Sequence, residues 1–159
     1  MTKLLLAVHV LAAIITIGPV TVAAGMFPPA VRRALAAPGD PTHLATVGTL
    51  HRICRVYAVI AVAVPVFGLA TANSLHVLGS AWLITSIALT VLAAAVLAAR
   101  ILPRQSSALA ALDGPAEAPE PAAVQRLTRQ LGMFTGVFNL LWAAVTILMI
   151  VRPGSTTGA

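Results

Sequence analysis

The chain has 159 residues, 59% of them hydrophobic and only 9% charged, with ten Lys and Arg against four Asp and Glu. A water-soluble domain of this length needs far more polar surface, so the composition excludes one and leaves a bundle of helices embedded in lipid. The positive charge does not point to nucleic acid, and no such partner is expected, because the basic residues sit at the ends of apolar runs and in connections, where membrane orientation and anionic headgroups require them. One cysteine, Cys54, excludes a disulfide or a thiolate metal cluster within the chain.

The first apolar run, Leu4 to Phe27, is longer than the core of a secretory signal and reads as a retained span over about 4–27. It should bend near Gly18-Pro19 and end at Pro28-Pro29. A basic connection with Arg32 and Arg33 leads to Asp40-Pro41, a helix start with an acceptor at the cap and proline at the first position. One long helix is expected from Pro41 to about Ala72. Its first third is amphipathic and basic (His43, His51, Arg52, Arg55), and its remainder is the second span, about 53–72, bent at Pro65. Cys54, Ala58, Ala61, Pro65, Gly68 and Ala72 recur at steps of three and four, a small-residue stripe that lets a neighbouring helix approach closely.

Val56 to Ala99 contains no Asp, Glu, Lys or Arg, and after a turn at Ala72-Asn73-Ser74 the third span runs over about 78–100. Ser80, Ser86, Thr90 and Ala94 should share its inward face. Arg100 to Arg104 around Pro103 should stop it, and residues 105–120, rich in Ala, Pro and Ser, read as a mobile cytoplasmic loop. Glu120-Pro121 starts a helix decorated by Arg126 and Arg129, which leads into a fourth span over about 131–151. Residues 155–159 form a tail. The expected fold is all-α, a single domain over 1–154 built as a four-helix transmembrane bundle. Amphipathic basic lead-ins, each with an Arg-x-x-Arg (Arg52/Arg55 and Arg126/Arg129), precede helices 2 and 4. With only weak identity between the halves, they read either as two pseudo-repeated helix pairs or as the placing of arginines at one interface that any four-helix membrane protein shows.

The connections between spans 1 and 2 and between spans 3 and 4 hold eight of the ten Lys and Arg, leaving Lys3 and Arg152 on the opposite side. The positive-inside rule then places both termini outside and the basic connections in the cytoplasm.

His9, two turns inside the first span, is the sharpest candidate residue, since an ionisable ring within a span is functional by default. Ala13, Thr16 and Val20 share its face, so it should point into the bundle, near the outer end of the third or fourth helix, with His76 or Thr146 beside it. His9 with His76 could ligate haem, or hold copper or zinc with a third ligand. The alternative is an imidazole hydrogen-bonded to a backbone carbonyl or hydroxyl, tying two helices together. His43, His51, Arg52 and Arg55 read as an interfacial basic face. Asn139 reads as a hydrogen bond between helices, and Trp82 and Trp142 as interface anchors or cavity walls. All four acidic residues lie outside the spans, so no buried general-base pair and no intramembrane carboxylate for proton-coupled transport is expected.

The segment Leu4-Leu-Leu-Ala-Val-His9 through Gly18 resembles the first helix of a bacterial family of integral membrane proteins with a domain of unknown function. Gly39 to Ala45, Val64 to Ala70, Ala81 to Ser86 and Ile147 to Pro153 resemble it too. The resemblance implies four helices in the inner membrane of a bacterium, and no activity. More distantly, the first-span histidine resembles that of the bacterial membrane protoporphyrinogen oxidase, which would map onto His9. That enzyme also relies on a lysine in a later span, and here the only lysine is Lys3. The membrane domain of copper-resistance proteins implies clustered His or Met ligands, whereas Met26, Met133 and Met149 are scattered. The reading is a non-enzymatic membrane subunit or small-ligand-binding bundle, partnered by lipid and by a second copy or another membrane protein. Its rivals are a haem- or metal-binding redox protein using His9, and a carrier of lipid or another hydrophobic molecule.

Overall fold

Four long helices traverse the molecule in alternating directions in the computed structural model, which describes residues 2–114 and 120–154. The first is α1 (Thr2–Ala36). The second is α2 (Pro41–Ile60) followed by α3 (Ala63–Ser74). The third runs from α4 (Ala81–Val96) through a π-helical turn (Leu97–Ile101) into α5 (Leu102–Asp113), and the fourth is α6 (Pro121–Val151). All four are long and apolar enough to cross a membrane, and there is no strand among the described residues. The fold is thus the expected all-α four-helix bundle.

Prolines set the internal breaks. Pro65 has no N–H for the Ala61 carbonyl, and the Val64 N–H takes that carbonyl at 3.0 Å instead, separating α2 from α3 at the bend expected there. Pro103 acts differently from expectation. The chain does not stop at Arg100 to Arg104 but widens into the π turn, where the Leu102 N–H reaches the Leu97 carbonyl, and continues as helix to Asp113. A wide turn relieves the clash a proline ring makes with the carbonyl four residues back. The loop expected over 105–120 is therefore helical through Asp113, and its residues 115–119, like the tail 155–159, lie outside the described residues. Likewise Pro28 and Pro29 do not end α1, which continues to Ala36. Asp40 caps α2 as expected, its carboxylate accepting the Thr42 N–H at 2.8 Å with Pro41 next. That backbone N–H holds the Asp40 carboxyl below the usual carboxylate range.

The surface is apolar where a soluble protein's would be polar: Val59, Leu140 and Ile150 are 74%, 72% and 74% exposed. Small residues, Ala23, Ala24 and Ala93, are buried where helices meet. Of the stripe on the second helix, Cys54 and Ala72 are buried, Ala58, Ala61 and Gly68 half-buried, and Pro65 exposed. On α4, Ser86 is buried and Thr90 half-buried as expected, but Ala93 rather than Ala94 faces inward. Helices of thirty or more residues reach about 45–50 Å, beyond the ~30 Å of a bilayer core. The excess lies at the end formed by the C-terminus of α1, the start of α2, α5 and the start of α6, which also carries the basic connections.

Packing differs between the two ends. At the basic end α2 packs on α5 and the ring of helices is closed. Phe27, Val31, Val47, Cys54, Ile101 and Phe138 form its core. Towards the termini the packed order is α3, α1, α6, α4, an arc whose outer members come together at the turn, where Trp82 and Leu83 meet Ala72.

Candidate functional site

The open arc leaves a cavity of about 610 Å³ among α1, α3, α4 and α6, in the half of the bundle that holds both termini. Its walls are mostly apolar, with Ala13, Gly18, Leu83 and Val145 among them, and its polar groups are few: His9, Thr71, Thr90, Thr146, two indoles and Arg152. A concave, largely apolar space with a small number of placed polar groups has the make-up of a small-molecule site.

His9 points into the bundle, as its helical face requires: Thr16 and Val20 on the same face are 2% and 1% exposed. Its partner is on a different helix from the one expected. Nδ1 lies 2.9 Å from the Val64 carbonyl oxygen on α3, and since a carbonyl only accepts, Nδ1 is the donor. Gly68, one turn beyond Val64, makes this approach feasible. A Cβ at Gly68 would lie 2.9 Å from His9 Cε1 and 3.2 Å from Nδ1, so only glycine leaves the ring its place. The ring therefore ties α1 to α3. With Nδ1 protonated, a neutral ring offers Nε2 as an acceptor, and Nε2 has no partner among the described residues.

Thr146, Trp82 and Trp142 share the cavity wall with His9, whereas His76 does not. His76 is exposed in the turn after α3, with φ 56° and its N–H on the Asn73 carbonyl at 3.1 Å. Reversing the chain in so few residues requires that left-handed backbone, and it places the imidazole outside the wall. The expected His9–His76 pair is thus not assembled, and no cluster of three or more His, Cys, Asp or Glu suited to a metal is present among the described residues.

Along α6, Thr135, Asn139, Trp142 and Thr146 follow one another at steps of four, three and four. Thr135 Oγ1, Asn139 Oδ1 and Trp142 Nε1 are buried without a protein partner. The hydrogen bond between helices expected of Asn139 is not formed through that oxygen. Orphaned groups of this kind cost on the order of 1–3 kcal/mol each, and the Trp142 donor belongs to a ring on the cavity wall.

At the basic end, a groove of about 960 Å³ follows α2 past Arg52 and Arg55, both exposed. His51 does not belong to that exposed face as expected: it is 8% exposed, with Nδ1 3.2 Å from Gln105 Oε1 and Nε2 3.4 Å from Ser106 Oγ. Gln105, fully buried, gives its amide N–H to Cys54 Sγ at 3.5 Å. Reading 105–120 as a loop hid this tie between α2 and α5. Arg152 was also hidden, because an arginine before Pro-Gly reads as a helix stop. A spacing did hold the His9 site: Gly68 falls one turn after the carbonyl the ring needs, within the small-residue stripe.

Comparison of the chain with protein-family models, with curated proteins and with solved structures gives no match in any of the three. Fold and cavity by themselves define a bundle of four membrane-length helices, closed at its basic end and hollow towards its termini.

Proposed function

We propose that the protein is a non-enzymatic membrane component that binds one long-chain, largely apolar molecule in the cavity beside His9. The supporting observation is the cavity itself: about 610 Å³ of mostly apolar wall, with an imidazole acceptor on it. An apolar chain buried there gains roughly 0.8 kcal/mol per methylene, and a hydroxyl on it can donate to the imidazole. Binding and carriage of a hydrophobic molecule share this site. Trp82 and Trp142 are the only tryptophans and both line the cavity, so a long-chain alcohol brominated along its chain should quench the intrinsic fluorescence saturably. An Ala13→Phe variant would narrow the space beside His9 without adding an indole, and the saturable effect of the brominated alcohol should weaken there. Quenching that stays linear with probe in the parent protein would count against the proposal.

The charge distribution supports a place in a bacterial cytoplasmic membrane with both termini outside. In a Cys54→Ser background, a cysteine at Ser74 should react with an impermeant thiol reagent added outside, and one at Ala111 should not. The opposite pattern would reverse the orientation.

A further inference from the structure

Arg152 is the one charged residue of the cavity wall, and its setting is unusual for a cation. It closes α6 with φ 44° and ψ 58°, a left-handed conformation that a residue with a side chain adopts at a cost, while its N–H bonds the Leu148 carbonyl at 2.9 Å. From there the side chain lies back against the bundle. Nε donates to the Met149 carbonyl at 3.3 Å, and the guanidinium stands 5.7 Å from the Trp82 ring centroid. The backbone bond and the indole face fix the guanidinium plane at the cavity mouth.

No carboxylate pairs with it among the described residues, where the sole ion pair is His43 with Asp40, at the basic end. The other acidic residues described, Asp113 and Glu120, also lie at that end. The two terminal nitrogens of Arg152 thus have no protein acceptor among the described residues, and they form the fork that receives an oxyanion through two parallel hydrogen bonds. Behind them the wall on α1 runs from Leu6 to Gly18, about 18 Å of helix. A cation at the mouth and an apolar slot behind it have the complementarity of a single amphiphile.

We infer that the ligand of this cavity carries an anionic head, a carboxylate or phosphate oxyanion on a hydrocarbon chain, which Arg152 seats at the mouth while the chain passes His9. This rests on the binding function proposed above. The shared chemistry has two sources, a free long-chain carboxylate and the phosphate of a membrane phospholipid.

Three probes with brominated chains separate the outcomes by fluorescence quenching in detergent: stearate, phosphatidylglycerol and neutral stearyl alcohol. The anionic probe of the right source should bind more tightly than the alcohol. Arg152→Gln should weaken that probe about tenfold, as expected for loss of a charge-assisted pair, and leave the alcohol unchanged, which also shows the variant to be folded. Arg152→Lys should fall between, keeping charge and losing the fork. Stearate affected and phosphatidylglycerol not would assign a free carboxylate; the converse would assign a membrane lipid. If alcohol and anions bind alike and Arg152→Gln changes none of them, the anionic head is overturned and the cavity's binding function stands. If no probe quenches saturably, the binding function fails and the inference with it.

Discussion

Gly68→Leu is expected to cost the protein several kcal/mol, and Val66→Leu two positions earlier almost nothing. The Gly68 position has no room for even a first carbon, which would meet His9 Cε1 at 2.9 Å, so the ring must leave Val64 or α3 must move away from α1. The first outcome strands a buried imidazole N–H, roughly 1–3 kcal/mol, and the second adds an overpacking cost of about the same size. Val66 is 58% exposed on the apolar surface, where a larger side chain meets no protein. Thermal unfolding in detergent should show a large fall in midpoint for the first variant only. Gly68→Ala with His9→Ala should be less damaging than the sum of the two changes, because removing the ring makes room for the methyl. Additive effects would mean that the ring and the glycine do not constrain one another.

The second large effect is expected at the opposite end. Gln105→Leu removes the acceptor of a nearly buried His51 and the donor to Cys54 while keeping the side chain's approximate volume. The result should be a loss of about 1–3 kcal/mol, the cost of an unsatisfied polar group. It should loosen the docking of α5 on α2, measurable as faster hydrogen exchange in α5. Ser107→Ala is the control, since Ser107 is exposed and its hydroxyl bonds only the Pro103 carbonyl of its own helix. Equal exchange in Gln105→Leu and the control would mean that the tie contributes nothing.

These two sites show how far the sequence could be read. The four spans were legible because charge is withheld for whole helix lengths, a signal that needs no tertiary information. The ends of the helices were not. Pro28-Pro29 and Pro103 are strong breakers in water, but α1 continues through the first pair and a π turn absorbs the second. Reading Pro103 as a stop turned the Gln105 segment into a loop and hid its bond to His51. His9 was conspicuous as a polar ring in an apolar run, and its inward direction followed from Thr16 and Val20. Its partner could not be found among side chains, because it is a main-chain carbonyl that every residue possesses. What singles out Val64 is the glycine one turn later, and a glycine in a stripe of small residues has many other reasons to be there. The cavity depends on which helices fail to pack, and no local pattern records that.

The central claim, that the hollow end of the bundle holds a single long-chain amphiphile, is tested most directly by native mass spectrometry. The purified protein would be offered an equimolar mixture of stearyl alcohol, stearate, phosphatidylglycerol and haem, then released from detergent. The prediction is one copy of a long-chain molecule retained on the parent protein and retained less by Ala13→Phe. Retention of haem in preference, or an unselective ladder of adducts identical in both proteins, would contradict it.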